Sequence, residues 1–228
     1  MLILYCYFIT NKVKKTMTDY KQIIKSFTEE DFKSNRVNLH IHTHYSDGKA
    51  EPSDIIHQAK EKGYKKIAIS DHNTLDAYLK TDILKEDIII PAVEFDVWCG
   101  YVFMHLLGYG VDVNNQELQS FCAKTKKETE ADMVRIFAKR DIKKLIQAIH
   151  NAGGIAVLAH PANCWAISMD GFVRKLISIG IDGLEVYYPY KRHRGFIKFR
   201  TAHHIEKLAD KYNLIKTGGT DLHDVRLV

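Results

Sequence analysis

The sequence predicts an α/β domain in which a largely parallel sheet is wrapped by helices, and three observations predict it. Short apolar runs alternate with helix-period segments along nearly the whole chain. Several runs, such as Ile88 to Phe95 and Ile155 to Ala159, are almost continuously apolar, the mark of strands covered on both faces. Histidine, aspartate and glutamate recur where the runs stop, which is where barrel-forming α/β domains carry their chemistry. With 228 residues, 46% hydrophobic and 27% charged, the chain can build one such domain with its own core. Closure into a barrel follows naturally from strand–helix alternation.

The apolar run Leu2 to Thr10 is less than half the roughly 20 residues that span a bilayer. It lacks a basic segment before it and a small-residue cleavage site after it. Neither an anchor nor a secretory leader is expected, and Met17 is an alternative start. Residues 1–36 are read as a partly helical N-terminal extension and residues 37–228 as the domain. Asp19 to Phe32 suggests one or two short helices, capped at Thr28. Val37 to His42 alternates as a strand, placing His40 and His42 on one side. Ser46-Asp47-Gly48 makes a turn that can bring the Asp47 carboxylate back towards them. A helix over Ile55 to Lys62 closes at Gly63. The strand Lys66 to Ser70 ends in Asp71-His72-Asn73, and Ile88 to Phe95 carries Glu94 near its end. Tyr101 to Tyr109 contains His105, and the turn Trp98-Cys99-Gly100 suggests a hairpin. Asn115 to Gly153 reads as two or three helices. The strand Ile155 to Ala159 then runs into His160-Pro161. A helix over Phe172 to Ile179, a strand over Gly183 to Tyr188 and a helix over Ile197 to Tyr212 follow. The last strand, Leu214 to Thr217, leads into Gly218-Gly219-Thr220-Asp221-Leu222-His223.

Composition narrows the function. A net charge of +5 without a run of five basic residues favours anionic substrates over a dense nucleic-acid patch. Four scattered cysteines with no C-x-x-C pair fit a cytoplasmic, reducing setting and argue against a thiolate zinc site. Against this stand 12 histidines. Nine residues are candidate metal ligands: His40, His42, Asp47, His72, Glu94, His105, His160, Asp221 and His223. They are too many for one ion, which takes about four. They suit two or three divalent ions bridged by carboxylates, and mixed N and O donors suit Mn, Fe, Zn or Co. Of their neighbours, His44 is expected to point away from the His40/His42 pair, and Asp71 to fix an imidazole tautomer. Glu185 is expected to give polar support, and His57, His150, His203 and His204 to face solvent or support packing. Lys191, Arg192, His193 and Arg194 divide evenly between a solvated loop and a phosphate-recognition loop.

The motifs resemble those of the polymerase and histidinol phosphatase (PHP) superfamily of metal-dependent phosphoesterases. N-L-H-I-H-T-H-Y-S-D-G is similar to its first motif and I-S-D-H-N-T to its second. The Glu94 and His105 segments match the third, V-L-A-H-P the fourth and G-G-T-D-L-H-D the last. The resemblance implies a distorted (β/α)7 barrel, a trinuclear metal cluster at its mouth, and all nine candidates as ligands. It also implies hydrolysis of phosphate esters by a metal-bridging hydroxide at a di- or trinuclear site. The implied substrate is a small phosphorylated metabolite, or a nucleotide or oligonucleotide, with no membrane and no obligate protein partner. The alternatives are a non-catalytic, metal-stabilised PHP module associated with a polymerase or other partner, and hydrolysis of a C–N bond. Two features depart from the pattern: only 54 residues separate His105 from His160, and the N-terminal extension has no counterpart.

Overall fold

A computed structural model describes residues 18–190 and 201–227. Two short helices come first, α1 (Tyr20–Lys25) and α2 (Glu29–Lys33). A reciprocal capping box fixes the start of α2: Thr28 accepts from the Asp31 amide while the Asp31 carboxylate accepts from the Thr28 amide. Then follow β1 (Val37–Ile41), α3 (Pro52–Glu61), β2 (Lys66–Ile69), α4 (Asp76–Leu79), β3 (Ala92–Cys99) and β4 (Val102–Tyr109). Three one-turn helices, α5 (Gln116–Gln119), α6 (Lys127–Glu130) and α7 (Asp132–Arg135), precede α8 (Ile142–Asn151). The chain closes with β5 (Ile155–Leu158), α9 (Met169–Ser178), β6 (Gly183–Tyr187), α10 (Ala202–Lys211) and β7 (Ile215–Gly218).

The sheet is mixed, which corrects the expectation of a parallel one. Five strands pair in the order β3-β4-β5-β6-β7, and β1 pairs with β2. The pairs β1/β2, β5/β6 and β6/β7 are parallel, while β3/β4 and β4/β5 are antiparallel. The reason is the hairpin foreseen at Trp98-Cys99-Gly100: Gly100, at φ 67°, lets the chain reverse at once. Single parallel bridges, Ile41–Leu222 and His72–Glu94, link the two sheets. Among the described residues the ladder therefore does not run unbroken into a closed barrel. Six strands still point the same way, with β4 alone reversed, so their carboxyl ends share one side.

Two boundaries differ from expectation for local reasons. β3 begins at Ala92 rather than Ile88 because Pro91 has no N–H to give a ladder; Ile88 and Ile90 instead bond Ile67 singly. The 115–153 region holds four helices rather than two or three. Asn115 and Asp141 cap the starts of α5 and α8, and the Glu128 carboxylate captures the Lys124 and Thr125 amides.

Packing separates two faces. Ile67, Phe95, Leu106, Leu158 and Leu184 face helices α3, α8, α9 and α10 in the main hydrophobic core. On the other face, Ala92 shares β3 with Glu94 and Asp96, and Leu107 and Tyr109 share β4 with His105. That face grades from apolar to ionisable. Its apolar end packs with Ile24 of α1 and Phe32 of α2, so the first two helices belong to the core. No helix among the described residues is long and apolar enough to cross a membrane.

Candidate metal centre

The site is assembled from strand ends that touch one another. The His42 amide donates to the Leu222 carbonyl at 2.8 Å, setting the 221–223 segment beside β1. Glycine makes this approach feasible: a Cβ at Gly219 would collide with the His40 backbone, and one at Gly48 with the His42 carbonyl. On the next side, the Glu94 amide donates to the Asp71 carbonyl and the Asn73 amide to the Glu94 carbonyl, placing His72 against Glu94. His105 stands opposite Asp96 in the hairpin register. The Ala159 amide donates to the His105 carbonyl, which sets His160 just beyond it. Three non-glycine residues here, Asn73, His160 and Asp221, have positive φ, local strain of the kind functional sites hold.

All nine candidates come together, in four overlapping groups whose ligand atoms lie within 4.8 Å of one another. One group is His40, His42, Glu94 and Asp221; a second is His42, Asp47, His72 and His223. The third is Glu94, His105 and His160, and the fourth is His72, His105 and Asp96. Glu94 belongs to two of the groups and also reaches His72, a member of the other two. Its Oε2 lies 3.2 Å from Nε2 of both His40 and His42 and 3.3 Å from Nε2 of His72. Its Oε1 lies 3.2 Å from His105 Nδ1 and 3.4 Å from His160 Nε2. Asp221 Oδ1 completes the first group at 3.1 Å from His42 and 3.4 Å from His40. Donors about 2.0–2.2 Å from a common ion are separated by roughly 2.8–3.6 Å at octahedral to tetrahedral angles, so the set fits divalent ions. Both Glu94 oxygens and the His105 Nδ1 that faces one of them are buried without a hydrogen-bond partner, a costly state that cation binding relieves.

The electrostatics favour positive charge. Burial opposes a charge on His42, but Asp221 and Glu94 outweigh it and hold the imidazole up at about 9. His105 is likewise held at about 10 against burial by Glu94 and Asp96. Burial would raise Glu94, Asp96 and Asp221, yet the facing imidazoles hold all three well below the usual carboxylate range. The carboxylates thus create a potential that holds a cation, whether proton or metal ion. Burial and the neighbouring Asp221 push the Tyr188 phenol far up, so it stays a donor, its hydroxyl 2.8 Å from Asp221 Oδ2.

Several supporting residues were not singled out by sequence reasoning. Asp96 lies 3.1 Å from His105 Nε2 and 3.6 Å from His72 Nδ1; its parity with Glu94 on β3 was a usable signal. Buried Arg135 puts Nη1 2.7 Å from Asp47 Oδ2, a contact no local pattern announces. Glu185 takes the supporting place expected of it: Oε1 is 2.9 Å from His40 Nδ1 and Oε2 accepts the His160 amide at 2.8 Å. A carboxylate can only accept, so His40 keeps a proton on Nδ1, and Nε2 is the nitrogen left to face the cluster. Asp71 does otherwise than expected. It accepts from the Thr43 amide, the Thr43 hydroxyl and the Ser46 hydroxyl at 2.7 Å each, pinning the turn instead of an imidazole. His44 lies outside the four groups, 3.3 Å from Glu51 and against Tyr45. Strand alternation is not the cause, since residues 40, 42 and 44 share parity; β1 ends at Ile41 and the 43–48 turn carries His44 away. His57 pairs with Glu61 in solvent, and His150 bonds Asp182 at 2.7 Å. Lys191, Arg192, His193 and Arg194 lie outside the described residues.

The sequence pattern of the PHP domain matches residues 38–213. The chain belongs to the PHP domain family. Among its relatives is an uncharacterized protein of Methanocaldococcus jannaschii, 27% identical over 177 residues, 69% of this chain and 84% of that one. The 5'-3' exoribonuclease Rnm of Salmonella typhimurium is 28% identical over 149 residues, 63% of this PHP chain and 48% of the exoribonuclease; the chain thus spans about half that relative. The phosphoribosyl 1,2-cyclic phosphate 1,2-diphosphodiesterase of Eggerthella lenta is 22% identical, with 82% and 93% covered. In fold, the chain is similar to an amidohydrolase of Chromobacterium violaceum, with a TM-score of 0.65 at 17% identity over 83% and 88% of the two chains. A Bifidobacterium adolescentis protein assigned as a metal-dependent phosphoesterase gives 0.64 at 21%, over 82% and 87%.

Proposed function

We propose that the chain is a metal-dependent phosphoesterase that works with two or three divalent ions, Mn, Fe or Zn. The ligands would be His40, His42, Asp47, His72, Glu94, His105, His160, Asp221 and His223, on what we read as a distorted (β/α)7 barrel with β4 reversed. The observation that carries this reading is Glu94, whose two oxygens each face a different set of imidazoles, as a carboxylate shared between ions must. Ions bound there would supply an activated water and neutralise charge on phosphoryl oxygens. The reaction adds water across a P–O ester bond: a monoester gives phosphate and an alcohol, a diester gives a phosphomonoester and an alcohol.

The chain's own residues do the rest. Glu185 and Asp96 set ring orientation, and Arg135 holds Asp47 in place while lining the mouth. That mouth is a cavity of about 620 Å³ that also includes Lys49, Asn163 and Tyr188, open enough for a phosphate ester end. Lys49 and Arg135 present cations beside the position of developing charge. The names of the Salmonella and Eggerthella relatives favour a substrate with a nucleotide or sugar-phosphate ester, and the scattered cysteines favour a cytoplasmic setting.

Substrate profiling tests the reading: the pure manganese-loaded protein is offered phosphomonoesters, phosphodiesters and cyclic amides. Hydrolysis of a phosphate ester, abolished by chelator, is expected. Turnover of cyclic amides alone would replace the reading with C–N hydrolysis. Metal binding without turnover of any substrate would favour the non-catalytic module.

A further inference from the structure

β3 carries two carboxylates on one face, and only Glu94 belongs to the nine proposed ligands. Asp96, two residues on, is fully buried and reaches two of the same rings from their far side. For His105, Nδ1 lies 3.2 Å from Glu94 Oε1 while Nε2 lies 3.1 Å from Asp96 Oδ1. For His72, Nε2 lies 3.3 Å from Glu94 Oε2 while Nδ1 lies 3.6 Å from Asp96 Oδ2. Each ring is thus held between Glu94 at one nitrogen and Asp96 at the other. The two rings also serve different groups: His72 stands with His42, Asp47 and His223, and His105 with Glu94 and His160.

Asp96 is itself fixed in place. Asn73, the residue after His72, accepts from the Asp96 amide at 3.0 Å and donates one side-chain hydrogen to Asp96 Oδ2 and the other to the Glu128 carbonyl at 2.9 Å. That leaves Asp96 Oδ1, which is buried and has no donor other than the ring facing it. Two other roles fit these contacts less well. As a counter-ion Asp96 is poorly placed, since Arg135 Nε stays 3.8 Å away while Nη1 bonds Asp47 at 2.7 Å. As a tenth ligand, grouped with His72 and His105, it would need both nitrogens of each ring, yet a neutral imidazole keeps a proton on one of them.

We propose that Asp96 is a positioning residue shared by two of the ions. It holds the proton of His105 on Nε2 and that of His72 on Nδ1, which leaves His105 Nδ1 and His72 Nε2 free on the Glu94 side. A buried carboxylate oxygen without a donor is costly, so each N–H belongs where Asp96 can accept it. An ion that seats one ring also seats Asp96, and through it the other ring. The two ions therefore bind interdependently, each raising the affinity for the other by the same factor. The inference rests on the metal-dependent phosphoesterase reading and deepens it, because it names what selects the ligating nitrogens and what joins two ions besides Glu94.

Heteronuclear NMR of the histidine rings in the nitrogen-labelled, zinc-loaded full chain tests this, because the nitrogen shifts separate N–H, bare and metal-bound atoms. The native chain should show His105 protonated at Nε2 and His72 at Nδ1. In Asp96→Asn the side-chain oxygen stays with Asn73 and the new NH2 faces His105, so the His105 proton should move to Nδ1. The ion held by Glu94, His105 and His160 should then bind about 10–100-fold more weakly in competition with a chelator, and zinc binding, cooperative in the native chain, should become independent. Asp96→Glu, which keeps a carboxylate, should keep both protons in their native places. A native His105 protonated at Nδ1, or native tautomers and affinity in a folded Asp96→Asn chain, would overturn the proposal. So would the loss of one ion with both tautomers unchanged, which would make Asp96 a ligand. The predicted tautomers in a native chain that hydrolyses no ester would instead refute the phosphoesterase reading alone.

Discussion

Replacing Glu185 with alanine should loosen metal binding while leaving every candidate ligand in the chain. Glu185 is fully buried, and its two oxygens serve different parts of the site. One lies 2.9 Å from His40 Nδ1, and the other accepts the His160 amide at 2.8 Å. Alanine strips the acceptor from both donors where no solvent replaces it. Hydrogen bonds to a charged group are worth about 1.5–3 kcal/mol each, so stability should fall by about 3–5 kcal/mol. The His40 ring also loses the partner that fixes its tautomer, and such losses weaken metal affinity by about 10–100-fold. Glu185→Gln keeps one acceptor oxygen but turns an amide NH2 towards the other donor, so an intermediate effect is expected. Competition with a chromogenic chelator reads the affinity, and denaturant unfolding reads the stability. A folded Glu185→Ala protein with native metal affinity would refute the idea that this carboxylate orients His40.

Three further outcomes follow from individual contacts. His44→Ala should keep metal content and activity within about twofold while His42→Ala loses metal and activity together; equal loss in both, by elemental analysis, would mean that His44 reaches the cluster. Arg135→Ala removes the 2.7 Å contact that holds Asp47 and should release one ion per chain and lower kcat/KM at least tenfold, measured on loaded protein; unchanged stoichiometry would separate Asp47 from the metals. Asp31→Ala should cost about 1–2 kcal/mol by loss of the cap, and its difference from the native chain should depend on pH. The Lys65 ammonium at 2.7 Å and the Thr28 donors hold the Asp31 carboxyl far below the ordinary range. A depressed folded pKa stabilises fully above the ordinary value of about 3.9 and loses that effect as pH falls through the folded value. Denaturant curves at pH 7, 5 and 3 should therefore show a gap that stays constant down to pH 5 and narrows only below about 4; a gap widening on acidification would contradict the sign.

The sequence carried those parts of the site whose geometry is local. His40 and His42 announce themselves by spacing, and Asp221 and His223 by their place after a strand ending in Gly218-Gly219. Asp96 was equally local, since parity with Glu94 sets it on the same face of β3. Arg135 was not legible: it sits in a four-residue helix and meets Asp47 across 88 positions of sequence. The partners of Asp71 were missed because Thr43 and Ser46 become neighbours only once the turn is folded. For the fold, strand and helix order followed from periodicity, and the β3–β4 reversal from Trp98-Cys99-Gly100. The direction of β5 against β4 did not, because the helices between Tyr109 and Ile155 would allow either sense. The packing of α1 and α2 into the core was likewise invisible, since Ile24 and Phe32 meet Leu107 and Tyr109 only through tertiary contact.

Nine side chains, Glu94 and the eight gathered with it, are proposed to form one multinuclear site. Elemental analysis of the full chain, loaded with manganese and freed of unbound ion by gel filtration, tests it most directly. Two to three ions per chain are predicted, falling to one or none in Glu94→Ala, because that carboxylate faces both sets of imidazoles. A stoichiometry of one or less in the native chain would contradict the account.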